Sequence, residues 1–264
     1  EVTIKDQKGA TDFEELKGEI VFENTRFEYV EDKVVLPNFN LHIAAGQSVA
    51  LVGATGAGKT TVINLVCRFY EPTSGTLKID GEDYLTKSLQ SLRSQLGVVL
   101  QTPHLFSGTV RDNVKFGRKE STDEDIIGAL RLLGAEDFVT RLDEEVGEGG
   151  EKLSMGERQL ISFARAVLTD PRILIMDEAT SSIDTLTEAR IQSSIEQMIQ
   201  GRTALIIAHR LSTIKNCDRI LMMSAGEITE DGTHSELMRL KGHYYDLYTK
   251  QLEKESLVKE EVKI

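Results

Sequence analysis

This chain has little cysteine, no long apolar run and no cluster of basic residues. Two cysteines stand among 264 residues. Cys67 and Cys217 lie in apolar or helical surroundings with no C-x-x-C and no Cys/His spacing, so neither a metal-thiolate site nor a dithiol redox pair is expected. Two buried, reduced thiols are the expectation. The longest apolar stretches, such as Ala204 to Ala208, have only strand length. A bilayer span needs about 18 residues or more, so the chain is not expected to cross a membrane itself. Lys and Arg number 31 against 43 Asp and Glu, a formal net charge of −12, and the basic residues are scattered. Nucleic acids and anionic lipids are bound by clustered cations that displace counterions, so no nucleic-acid partner is expected. No internal repeat and no long heptad run is present. The sequence opens at Glu1 without a signal-like segment and reads as a piece of something longer, with membrane-spanning parts elsewhere.

A hydrophobic content of 40% is ample for a sizeable core, in one large domain or two small ones. Residues 1 to 18 are polar and patternless and read as a linker or frayed arm. From Glu19 to Tyr29 the chain alternates and is aromatic, Leu41 to Ile43 reads as a further strand, and Thr76 to Asp80 forms a hairpin turning at Gly81. These predict an antiparallel layer. Between about 102 and 170 the pattern is helical, with Thr122 to Asp125 as a capping box, which predicts an inserted helical lobe. Arg172 to Met176 and Thr203 to Ala208 then read as strands around a helix that carries Ile191, Ile195, Met198 and Ile199 on one face. Alternation of this kind predicts an α/β fold whose parallel sheet is covered on both faces. Residues 249–264 form a charged tail on a helix that begins beyond Lys241.

The chemistry is concentrated in Gly53-Ala54-Thr55-Gly56-Ala57-Gly58-Lys59-Thr60, which fits G-x-x-x-x-G-K-[ST]. Its glycines let backbone N–H groups turn inward around a phosphate, Lys59 reaches the β- and γ-phosphates, and the Thr60 hydroxyl suits Mg²⁺. The apolar Ser48 to Val52 precedes it and a helical pattern from Thr61 follows. That order places a helix N-terminus behind the phosphates. Asp177 and Glu178 end an apolar strand: Asp177 is expected to hold Mg²⁺ through water, and Glu178 to polarise the attacking water. His209 follows the strand ending at Ala208, where it can hydrogen-bond a γ-phosphate, and Gln101 ends another strand with an amide oxygen for Mg²⁺ or water.

In this order the residues resemble the nucleotide-binding domain of ATP-binding cassette (ABC) transporters of the exporter type, from about Glu19 to Tyr248. The resemblance implies a P-loop NTPase fold and ATP hydrolysis with Mg²⁺. By it, Tyr29 stacks on adenine, Gly53 to Thr60 with the following Thr61 bind ATP as Walker A, Gln101 is the Q-loop and Asp177-Glu178 is Walker B. Ser182 and Asp184 fall in the D-loop, and His209 matches the switch histidine. Glu145 to Gly150 is similar to the loop that precedes the signature in exporters. The resemblance further implies head-to-tail pairing with a second cassette, each ATP lying between Walker A of one and the signature of the other. Transmembrane domains of the same polypeptide would place the cassette at the cytoplasmic face of the membrane.

The signature departs from the usual L-S-G-G-Q, reading Leu153-Ser154-Met155-Gly156-Glu157. Met155 adds a side chain where backbone should approach the partner's γ-phosphate, and Glu157 adds a carboxylate near it. Both are expected to weaken the site served by this signature, which points to one half of a heterodimeric exporter of a multidrug or lipid type, with a non-identical partner.

Overall fold

The computed structural model describes residues 4–177, 185–208 and 210–261. Glu178, Ser182, Asp184 and His209 lie outside the described residues.

The main sheet has six strands: β3 (Ser48–Val52), β6 (Leu96–Val99), β7 (Ile173–Asp177), β8 (Thr203–Ile207), β9 (Arg219–Ser224) and β10 (Glu227–Gly232). Their spatial order is β10-β9-β3-β8-β7-β6, parallel except for β10, which returns antiparallel on β9. Every residue of β3 and β8 is buried, as expected for strands covered on both faces. Successive side chains point to opposite faces of a strand. Accordingly Ala50, Val52, Leu174, Met176 and Ile206 enter one core, while Val49, Leu51, Ile175, Leu205 and Ile207 enter the other.

The sheet thus separates two hydrophobic cores. One lies under helix α1 (Lys59–Val66) and the antiparallel sheet, whose order is β2-β1-β4-β5 with β1 (Ile20–Glu28), β2 (Val34–Ile43), β4 (Ser74–Ile79) and β5 (Glu82–Asp83). The other holds the apolar faces of α3 (Val110–Lys115), α4 (Asp123–Leu132), α5 (Met155–Leu168) and α6 (Thr185–Ile199). The short helix α2 (Leu89–Arg93) leads into β6, and α7 (Leu211–Asn216), α8 (His234–Leu240) and α9 (His243–Glu261) close the chain. Reciprocal capping boxes begin α3 (Thr109/Asp112), α4 (Thr122/Asp125), α5 (Ser154/Glu157) and α8 (Thr233/Glu236). Each satisfies two amides that an open helix end leaves without partners. Among the described residues no helix is long and apolar enough to cross a membrane, and both cysteines are buried.

The N-terminal segment corrects the expectation of a frayed arm for residues 4–18. Phe13 and Leu16 are buried in the core beneath the antiparallel sheet. Phe13 N donates to Ser91 Oγ, Leu16 N to Gln95 Oε1, and the amides of Lys17, Gly18 and Glu19 donate to the Asp80 carboxylate. Two isolated apolar residues make no periodic pattern, and the groups that anchor this backbone lie far away in the sequence.

Candidate nucleotide-binding site

β3 delivers the chain to the glycine-rich loop, and two glycines there are required by their surroundings. Gly53 has φ 144°, and a methyl group on it would run into the carbonyl oxygen of Met223 on neighbouring β9. Gly58, at φ 101°, is the residue from which α1 starts. The loop is also held from below, since Gly226 N in the β9–β10 turn donates to Ala57 O at 3.0 Å. Lys59 is 8% exposed, and its Nζ donates to the carbonyls of Gly53 (2.7 Å) and Ala54 (2.9 Å). Burial pushes its pKa down, and the Asp177 carboxylate opposes that shift.

A cavity of about 450 Å³ opens above this loop. The loop and the first turn of α1 contribute Thr55, Gly56, Gly58, Lys59, Thr60 and Thr61 to its wall; Tyr29, Gln101 and Asp177 come from three other places in the chain. Gln101 follows β6 and Asp177 ends β7, so both stand at the carboxyl edge of the parallel sheet, where ligands collect in α/β folds. Asp177 pairs in register with Ile207 of β8, the strand between β7 and the loop strand β3. Gly53 and Ala54 take part through their carbonyls on Lys59, whereas Ala57 is buried beneath the loop.

Tyr29 is 44% exposed. Its hydroxyl lies 3.1 Å from Thr61 Oγ1 and accepts from Asn64 Nδ2 at 3.1 Å, and its ring meets Phe27 and Tyr70 edge-on at 4.7 and 4.9 Å. The sequence reading missed Asn64 and Tyr70 as the holders of this ring, and Val35 and Ile207 as apolar lining. Helical spacing was the available signal for Asn64, which stands one turn beyond Thr60.

The signature residues lie apart from this cavity. Ser154 is exposed and caps α5, its Oγ accepting from Glu157 N at 3.2 Å. Met155 is half-buried, with Sδ 3.9 Å from Arg158 Nη2, and Gly156 is buried. The Glu157 carboxylate accepts from Ser154 N at 2.8 Å and from Arg141 Nη1 at 2.7 Å. Burial pushes its pKa up, but the hydrogen bonds from Arg141 and Ser154 outweigh that and leave it below the ordinary range. The Glu157 charge thus has a partner within the chain.

A phosphate loop between β3 and α1, facing acidic and amide groups at the carboxyl edge of a parallel sheet, defines a P-loop nucleotide-binding domain. Comparison with known proteins narrows the class. The family model described as ABC transporter matches residues 36–181, more than half of the chain, and the chain belongs to that family. It is 47% identical over 252 residues to the uncharacterized ABC transporter ATP-binding protein YknV of Bacillus subtilis, covering 94% of this chain and 42% of that protein. It is 48% identical over 263 residues to the ATP-dependent lipid A-core flippase of Syntrophus aciditrophicus, covering 98% and 43%. With the probable multidrug resistance ABC transporter YheH of B. subtilis it shares 50% over 238 residues, covering 89% and 35%. Among solved structures, a bacterial Atm1-family ABC exporter with ATP bound superposes with a TM-score of 0.87 at 38% identity, covering 94% of this chain and 44% of that one. The chain spans less than half the length of these relatives. It is an ATP-binding cassette domain of that family.

Proposed function

We propose that this cassette drives export by closing on ATP against a second, non-identical cassette and reopening after hydrolysis, with transmembrane domains of its own polypeptide at the cytoplasmic face of the membrane. The convergence of Lys59, Thr60, Gln101 and Asp177 on one cavity carries the reading. In it, the amides of Gly53 to Thr60 and the Lys59 ammonium hold the β- and γ-phosphates, Thr61 extends that contact, and Tyr29 receives the adenine. The Thr60 hydroxyl, Gln101 amide and Asp177 carboxylate, the last through water, make the hard-oxygen donor set that suits Mg²⁺. That ion supplies neutralisation of the phosphate charge. Glu178 polarises the water that attacks the γ-phosphate, with His209 and Gln101 orienting it.

Ser154, Met155, Gly156 and Glu157 face the partner's ATP, and Ser182 and Asp184 meet the partner beside it. Met155 at the start of α5 supports unequal sites and hence a heterodimer, because its side chain keeps backbone from the phosphate. The names of the relatives, a lipid A-core flippase and a probable multidrug resistance transporter, favour an amphipathic cargo. The test is Mg-ATP binding and turnover by the parent and by Glu178→Gln. The variant is expected to bind nucleotide as the parent does with turnover reduced about a thousandfold. Undiminished turnover removes Glu178 from the reaction, and absence of binding by the parent removes the reading of the cavity.

A further inference from the structure

The carboxylate that distinguishes this signature is matched by a cation from the same chain. Arg141 ends the short 3₁₀ segment Glu136–Arg141, ahead of the signature. Its Nη1 donates to Glu157 Oε1 at 2.7 Å, while Nε and Nη2 donate to the Glu144 carboxylate at 2.6 and 2.9 Å. The guanidinium lies 4.9 Å from the centre of the Phe138 ring, and Asp137 stands 4.0 Å away. The side chains of Arg141 and Glu157 are 31% and 26% exposed, so solvent screens the pair only in part. A planar fork held by a second carboxylate and an aromatic face loses little freedom in meeting Glu157.

This geometry bears on Ser154. With Glu157 Oε2 on Ser154 N and Glu157 N on Ser154 Oγ, the hydroxyl oxygen accepts from the helix and its proton is left to donate outward. The N-terminal end of α5 therefore presents a donor and a positive dipole end, and the adjacent carboxylate is both neutralised and drawn back. Removal of the guanidinium would leave an uncompensated negative charge within one turn of that donor.

We propose that Arg141 is a positioning residue of the signature: it compensates Glu157 and so keeps the end of α5 able to meet a partner's triphosphate. The proposal rests on the reading above, in which this end of α5 faces the nucleotide of a paired cassette. It also separates the two departures in the signature, leaving Met155 as the one that weakens the site.

The experiment uses the full 264-residue chain carrying Glu178→Gln, so that bound ATP persists, and measures Mg-ATP-driven self-pairing at high concentration by analytical ultracentrifugation. Self-pairing places this chain's own signature at both nucleotides. Arg141→Ala is expected to weaken pairing about tenfold. In combination with Glu157→Gln it is expected to return to within about twofold of the parent, because no charge then needs compensation. Glu144→Gln removes the other partner of Arg141 and is expected to change pairing less than about twofold. ATP binding by the unpaired chain should be the same for Arg141→Ala and the parent, since Arg141 lies outside the cavity. Should Arg141→Ala fail to fold, Arg141→Met keeps the apolar stem over Phe138 and takes its place in the same comparison. An Arg141 effect that persists undiminished beside Glu157→Gln, no effect at all, or a parent that binds ATP without pairing each overturns the proposal. A parent that does not bind ATP overturns the nucleotide reading beneath it, and that outcome is read from the unpaired chain alone.

Discussion

Lys59 shows how the cradle is held together before a ligand enters. Its ammonium bonds two carbonyls of the loop it serves, and burial lowers its pKa. A triphosphate offers charged acceptors in their place, with stronger charge-assisted bonds. Lys59→Ala is expected to leave the melting temperature within a few degrees of the parent and to weaken ATP binding about a hundredfold, measured by calorimetry. Gly53→Ala should act differently, because its methyl group meets the backbone of β9 and its φ of 144° disfavours any side chain. A loss of about 3 kcal/mol in urea unfolding is expected, before ligand is considered. At this scale the placement of the phosphate loop, Gln101 and Asp177 around one cavity was legible in the sequence, because each follows an apolar strand or fits a spacing with a mechanical reason. The neighbours of Tyr29 and the Arg141–Glu157 pair were not legible, since each contact joins side chains from separate segments whose distance only the fold sets.

Helices and strands were legible wherever a period or a cap marked them, as with Thr122 and Asp125 ahead of α4. The N-terminal segment was not. Its amides donate to Ser91, Gln95 and Asp80, and its buried apolar side chains among the described residues are Phe13 and Leu16. Leu16→Ala removes a side chain that is 3% exposed and is expected to cost about 2–4 kcal/mol by chemical denaturation, where a frayed arm would cost nothing. The C-terminal helices add a pH dependence. His234, at the start of α8, pairs through Nδ1 with the Tyr244 hydroxyl of α9 at 2.8 Å. Burial, with Lys215 adding to it, holds its pKa below the ordinary 6.5. The unfolded chain therefore takes up a proton before the folded one does, so this contribution to stability is complete above the unfolded value and declines as pH falls from there toward the folded pKa. Melting curves should show a drop below about pH 6.5 that His234→Gln flattens.

For the molecule as a whole, the sheet lies between two cores. The loop, α1 and the antiparallel layer share one core, while α5, which begins with the signature, shares the other with α3 and α4. The segment after Gln101 is tied to the one before the signature: Val110 N and Arg111 N donate to Glu144 O and Leu142 O, and Val146 N donates to Gly108 O. In the proposed pairing the cavity of one cassette faces the N-terminus of α5 of the other, so in a self-pair both sites would carry Met155. Hydrolysis by the isolated chain should then stay slow and rise only weakly with its own concentration, even where nucleotide draws copies together. Addition of a cassette with an L-S-G-G-Q signature is expected to raise turnover about tenfold or more, in a phosphate-release assay, because it places unsubstituted glycine backbone against the γ-phosphate above Lys59. Brisk hydrolysis by this chain alone, growing with the square of its concentration, would count against the asymmetry and assign Met155 a position away from the phosphate.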